Sequence, residues 1–238
     1  MNLVIDSGNT FSKTGLFKNG TLQEVRWRLS FEELTHYIAT VRPERMMISS
    51  VSRSEDEFNA AFSPYCPAIK TLSPNTPVPI QKLYDTPHTL GADRVAAAVG
   101  AKVLYPTQAC LVIDMGTCIT YDWVDRLYNF HGGIISPGMR MRFKAMNSFT
   151  KRLPLVEPEG IPSLIGKNTI HAMQSGVMNG LVAELNGIIE QYQTLFSDFQ
   201  TLLCGGDAHY FESRFKSPIF AVPELVLIGL NRILEYNV

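Results

Sequence analysis

The sequence predicts an α/β protein made of two similar halves, each a mixed sheet flanked by helices, with a cleft between them. Three observations carry this. Short apolar runs of strand length alternate with stretches of helical periodicity along the whole chain. An apolar run ending in an acid and a glycine turn occurs twice, once at Asp6 and Gly8 and again at Asp114 and Gly116. Each of these runs opens a series of strands that gives way to helices. The halves are expected over residues 1–107 and 108–238, with Tyr105-Pro106-Thr107 as the break between them.

The elements follow in order. Residues 3–6, 13–17 and 21–27 read as three strands. Ser30 with Glu33 three residues later forms a capping box, so a helix follows to about Val41. Residues 46–51 form another strand, and a short helix starts at Ser54. The prolines of 64–80 mark loop and edge strand. Residues 91–104 are Ala-rich, with Val95, Val99 and Val103 at helical spacing. Residues 110–113, 119–124 and 128–135 read as strands. Ser136-Pro137 carries the signature of a helix start, a cap residue followed by proline at the first helical position. Met139, Phe143 and Met146 then share one face. After a Pro/Gly-rich loop at 152–168, a long helix presents Ile170, Met173, Val177, Leu181, Leu185, Ile188 and Tyr192 on one stripe. Its glycines 176, 180 and 187 suggest close approach of another backbone. Residues 201–204 and 219–222 are strands, and a helix over 224–236 closes the chain.

Composition bounds the function. The chain has 238 residues, 45% hydrophobic and 18% charged, with formal net charge -1. That length is enough for a sizeable core. The balanced charge gives no sign of a nucleic-acid binder, which needs a basic face. No apolar run approaches the length of a membrane helix, and no basic segment followed by a long apolar stretch opens the chain, so neither a membrane nor a signal peptide is expected. Cys66, Cys110, Cys118 and Cys204 have no metal-ligand spacing. Free thiols, buried for the last three, and a reducing cytoplasm are the expectation.

Five constellations carry the chemistry. In Asp6-Ser7-Gly8-Asn9-Thr10-Phe11-Ser12-Lys13, a glycine hairpin brings backbone N–H groups against a phosphate. Asn9 and Thr10 add neutral donors, and Lys13 on the returning strand reaches a β- or γ-phosphate. Asp6 repels phosphate, so its natural work is to hold Mg²⁺ or the waters around it. The alternative is an ordinary turn, since these residues are common turn formers. Asp114-Met115-Gly116-Thr117 repeats the pattern in shorter form. Gly91-Ala92-Asp93-Arg94 opens a helix: Asp93 fits either electrostatic capping or the carboxylate that a kinase needs to orient a hydroxyl. Arg94 fits a substrate carboxylate or a structural ion pair. Gly132-Gly133 before the Ser136-Pro137-Gly138 turn offers backbone amides or simply a tight turn. Gly205-Gly206-Asp207-Ala208 leaves room for a flat ring or makes a plain turn. Histidines 36, 88, 131, 171 and 209 share no ligand spacing, and neither a Walker A nor a Gly-x-Ser-x-Gly motif is present.

Taken in this order, these pieces resemble the type III pantothenate kinases, of the superfamily of acetate and sugar kinases, heat-shock chaperones and actin. The motifs are DSGNTFSK at 6–13, YDTPHTLGADR at 84–94, DMGT at 114–117, GGIISPG at 132–138 and NTIHAMQSG at 168–176, with GGDA at 205–208 matching the superfamily's adenosine element. The resemblance spans nearly the whole chain. It implies two ribonuclease-H-like halves and ATP-dependent phosphorylation of pantothenate to 4'-phosphopantothenate, the first step of coenzyme A biosynthesis. It implies that Asp6, Ser7, Gly8, Asn9, Thr10, Phe11, Ser12, Lys13 and Thr117 contact ATP, and that Asp93 is the general base. It implies that Tyr84, Gly91, Ala92, Asp93, Arg94 and Thr169 contact pantothenate, Thr169 from a partner subunit of a homodimer. Asp114 becomes the ligand of a monovalent cation, K⁺ or ammonium, and Mg²⁺ accompanies ATP near Asp6. Cys118 stands where the family usually has Ala or Ser. The rivals are another sugar-type kinase of the superfamily, an ATP-binding regulator without catalysis, and an actin-like filament former.

Overall fold

The computed structural model describes residues 1–238 apart from Asn9, Thr10, Val51 and Ile161. The chain divides into two compact units. Unit 1 comprises Met1–Thr107, Val124–Gly132 and Glu224–Val238, and unit 2 comprises Gln108–Trp123 and Gly133–Pro223.

Unit 1 opens with β1 (Asn2–Ser7), β2 (Ser12–Lys18), β3 (Thr21–Leu29), α1 (Phe31–Val41), β4 (Arg45–Ser50), α2 (Glu55–Phe62) and β5 (Ile69–Thr71). The sheet order is β3-β2-β1-β4-β5. β1 runs antiparallel to β2, with Asp6 opposite Lys13, and parallel to β4, with Asp6 beside Ser49. Period-2 alternation decides the faces. Leu3 and Ile5 join Met46, Ile48, Leu34, Ile38, Phe58 and Phe62 in one core, which turns Asp6 to the opposite face. Both helices start with capping boxes, Ser30 with Glu33 and Ser54 with Glu57. Next come β6 (Gln81–Lys82) and α3 (Ala92–Leu104), and α6 (Leu225–Tyr236) ends the chain. α3 and α6 meet backbone to backbone. A Cβ on Gly229 would fall 1.8 Å from the Ala96 carbonyl oxygen, and one on Gly100 2.2 Å from that of Leu225.

Unit 2 is built on β7 (Ala109–Met115), β8 (Cys118–Val124), β9 (Asn129–Pro137), α4 (Met139–Phe149), α5 (Thr169–Leu195), β10 (Phe199–Cys204) and β11 (Phe220–Ala221). Val124 and the first four residues of β9 are counted with unit 1, where β9 pairs with β6. The order β9-β8-β7-β10-β11 repeats that of the first sheet. Each unit therefore has the ribonuclease-H-like arrangement expected of it. Leu111, Ile113, Tyr121, Phe143, Leu181, Leu185 and Leu203 are fully or almost fully buried in its core.

Several local expectations need correcting. Ser136-Pro137 does not start a helix: β9 continues through Pro137, and α4 begins after Gly138. The Ser136 hydroxyl donates to Glu184 at 2.7 Å, and the Pro137 carbonyl accepts from Arg142 Nε at 2.9 Å. These bonds hold the segment extended, where the residue before a proline already prefers to be. In α5, a Cβ added at Gly176, Gly180 or Gly187 would meet nothing within 4 Å. Among the described residues no other backbone approaches them. Ile170 at the head of the expected stripe is exposed, as is Val103 on α3, and Cys118 is only partly buried. No helix among the described residues is long and apolar enough to cross a membrane.

Candidate active site

In unit 1 the first glycine hairpin joins β1 to β2. Ser7 and Ser12 face each other at its neck, both buried, with the Ser12 hydroxyl donating to Ser7 at 3.3 Å. The Gly8 amide donates to the Phe11 carbonyl at 3.1 Å. The Ser52 hydroxyl donates to the Gly8 carbonyl at 3.1 Å, tying the loop to the residues that follow β4. Asn9 and Thr10 lie outside the described residues.

Asp6 closes β1 on the face away from the α1–α2 core. Burial first, and the nearby negative charge of Asp93 second, push its carboxyl up to about 6, while Lys13 pulls the other way. The structure thus brings three sequence-selected groups into electrostatic range: Asp6, Lys13 and Asp93. Asp93 lies in the first turn of α3. Its Oδ1 accepts the backbone N–H of Arg94 at 2.8 Å, so the carboxylate also satisfies one of the donors left open at the helix start. A Cβ on Gly91 would fall 2.5 Å from that same oxygen, so glycine is what leaves the carboxylate room.

Tyr84 and Arg94 come together in unit 1. The buried Arg94 guanidinium lies 5.8 Å from the ring centres of both Tyr84 and Phe130, and those rings lie 6.2 Å apart. Gly132, at φ 92°, is packed against the Tyr84 ring: a Cβ there would sit 3.0 Å from it. Ala92 opens α3 beside these groups.

Unit 2 carries the second hairpin. Asp114 stands near the end of β7, level with Cys204 on β10. The Gly116 amide donates to the Cys118 carbonyl at 3.0 Å, and the Gly138 amide to the Thr117 carbonyl at 3.1 Å. A Cβ on Gly138 would lie 2.3 Å from the Gly116 carbonyl oxygen, and one on Gly205, at φ 95°, 2.5 Å from Asp114 Oδ1. Gly133 is wedged likewise against the Tyr121 carbonyl. These glycines serve tight backbone packing around the hairpin. Thr117 is exposed on the turn, and Thr169 is exposed at the first residue of α5, whose N-cap Asn168 accepts the His171 N–H at 2.9 Å.

Sequence reasoning missed two groups beside these hairpins. Glu184, in the middle of α5, accepts from Tyr121 at 3.0 Å and from Ser136, and pairs with Arg142. Burial works against it, yet those hydrogen bonds hold its carboxyl below the usual range. The four residues lock the end of β9 to α4 and α5. The lone acid on an otherwise apolar helix stripe is the signal that marks Glu184. The second group is Trp27 and Arg28 on β3, whose rings and charges face Lys13 and Phe11. Alternation along β3 gives no hint of them. Among the described residues no cluster of three or more His, Cys, Asp or Glu is placed to hold a metal.

Comparison with known proteins identifies the family. The sequence profile of the type III pantothenate kinase family matches residues 2–191. The type III pantothenate kinase of Cytophaga hutchinsonii is 45% identical over 238 residues, covering 100% of both chains. That of Phocaeicola vulgatus is 44% identical over 239 residues, covering 100% of this chain and 99% of its own. Among solved structures, a Baf family protein from Campylobacter jejuni superposes with TM-score 0.63 at 20% identity, over 99% of this chain and 98% of its own. The activator of the 2-hydroxyisocaproyl-CoA dehydratase from Clostridium difficile, solved with ADPNP, superposes with TM-score 0.57 at 11% identity, over 99% and 93%. The last two speak for the fold. With a family profile over most of its length and relatives matched end to end, the chain belongs to the type III pantothenate kinase family.

Proposed function

We infer that this protein transfers the γ-phosphoryl group of ATP, carried with a divalent metal, to the primary hydroxyl of pantothenate, making 4'-phosphopantothenate at the entry to coenzyme A biosynthesis. The observation that carries the residue assignments is the electrostatic meeting of Asp6, Lys13 and Asp93 in unit 1. Two acids and one lysine beside a glycine hairpin suit a triphosphate and its metal, and Asp93 supplies the carboxylate that phosphoryl transfer to an alcohol requires.

Phosphoryl transfer is mostly positioning and charge neutralisation. Ser7, Gly8, Asn9, Thr10, Phe11, Ser12 and Lys13 cradle the phosphates, with Thr117 contributing from the second hairpin. Asp6 orients the waters of the ATP-bound Mg²⁺. Arg94, with Gly91 and Ala92, holds the pantothenate carboxylate, and Tyr84 packs on its carbon skeleton. Asp93 accepts the hydroxyl proton as the bond to phosphorus forms. Asp114, near the end of β7 beside the Gly116–Cys118 turn, offers a carboxylate, which suits a hard monovalent cation such as K⁺ or ammonium. Its charge would offset that of the phosphates.

The exposed small-residue face of α5 supports a homodimer, with Thr169 reaching a neighbour's pantothenate. A cytoplasmic location fits the free cysteines. ADP release tests the whole reading. It should depend on pantothenate and fall sharply when K⁺ is replaced by Na⁺. Equal rates in both buffers would remove the cation from Asp114 while leaving the kinase. Release that ignores pantothenate would overturn the acceptor.

A further inference from the structure

β2 and β3 pair with Ser12 opposite Leu29 and Thr14 opposite Arg26. Between these pairs β2 has one residue, Lys13, and β3 has two, Trp27 and Arg28. This is a β-bulge, a device that re-aims side chains and is enriched beside active sites. Arg28 takes the left-handed conformation, φ 58°, which costs free energy for a residue with a side chain and persists only where its surroundings demand it. The bulge turns two side chains onto the phosphate loop. The Lys13 ammonium lies 4.0 Å from the Trp27 ring centre, and the Arg28 guanidinium 4.7 Å from that of Phe11. Trp27 is 45% exposed, so burial in the core does not explain its presence on an edge strand.

We propose that the β3 bulge is a positioning device for ATP, in which Trp27 seats the Lys13 ammonium beside the phosphate loop and keeps it from collapsing onto Asp6. The proposal rests on the reading of residues 6–13 as the triphosphate cradle. An unseated lysine in reach of an enclosed carboxylate would pair with it and be lost to the phosphates. On the indole face the ammonium keeps its charge and stays close to the loop. Arg28 fixes Phe11 in the same way, so the loop is held from its outer side by two aromatic–cation pairs. Trp27 touches neither substrate. It acts through Lys13.

Steady-state kinetics separates this from a merely structural role. Trp27→Leu should raise KM for ATP about fivefold, the loss of one exposed cation–π contact, with kcat and KM for pantothenate within about twofold of wild type. Trp27→Phe, which keeps a ring face, should restore most of the loss. Equal rises in both KM values, or an unchanged KM for ATP in a Trp27→Leu protein with the wild-type unfolding midpoint, would overturn the proposal. Fluorescence gives an independent readout, because the chain has two tryptophans. In a Trp123→Phe background, saturating MgATP should change Trp27 emission as the ammonium leaves the indole. ATP bound by calorimetry with Trp27 emission unmoved sinks the seat alone. No ATP binding by the wild-type enzyme sinks the cradle and the seat together.

Discussion

The two hairpins share a topology and differ in construction. In each, an acid ends the central strand of a β3-β2-β1-β4-β5-type sheet and a glycine turn follows. The first hairpin is built from side chains. Its neck is a serine pair, its charge comes from Asp6 and Lys13, and Trp27 and Arg28 hold it from outside. The second is built from backbone. Gly138 and Gly205 press against it so closely that a methyl group at either position would overlap its main chain or the Asp114 carboxylate. Duplicated architecture thus carries one hairpin held by side chains and another held by close backbone packing.

Substituting the glycines should break this symmetry most sharply. Gly138→Ala puts a Cβ 2.3 Å from a carbonyl oxygen that cannot move without opening the hairpin. It should cost about 3 kcal/mol in urea unfolding, the upper range for overpacking. Gly8→Ala, whose Cβ would lie 3.3 Å from the Phe11 carbonyl oxygen, should cost less than about 1 kcal/mol. Similar losses at the two positions would contradict the contrast.

Asp6 sharpens it further. Its pKa is raised from 3.8 to about 6, chiefly by burial, so the folded state disfavours the ionised form. Below about pH 3 the group is protonated folded and unfolded, and its full relative stability is present. That stability is lost as the pH rises through about 6. Asp6→Asn should therefore unfold about 3 kcal/mol harder than wild type at pH 7.5 and match it at about pH 3, by the linkage of pKa to stability. The same substitution should cripple turnover with MgATP. A variant less stable than wild type at pH 7.5 would mean the acid is well compensated without ligand.

Much of this was legible in the sequence because the relevant signals are local. The strand–acid–glycine repeat gave both hairpins, and Ser30 with Glu33 marked α1. Gly91 through Arg94 gave a helix start with an acid in its first turn. What escaped depends on partners distant in sequence. Ser136-Pro137 has the letters of a helix start, but Glu184 and Arg142 hold it extended. Gly176, Gly180 and Gly187 suggest a neighbouring backbone, and none of the described residues supplies one. The bulge at Trp27 and Arg28 depends on a register with β2 that alternation along β3 does not encode, since one extra residue looks like any other in a period-2 pattern.

Asp93→Asn offers the most direct test of the central assignment, measured as pantothenate-dependent ADP release beside ATP binding by calorimetry. With ATP affinity kept, kcat should fall by about 10² to 10⁴, the usual worth of a positioned general base. An Asp93→Asn enzyme that turns over at the wild-type rate would show that the acid at the start of α3 is a helix-end charge and that the base lies elsewhere.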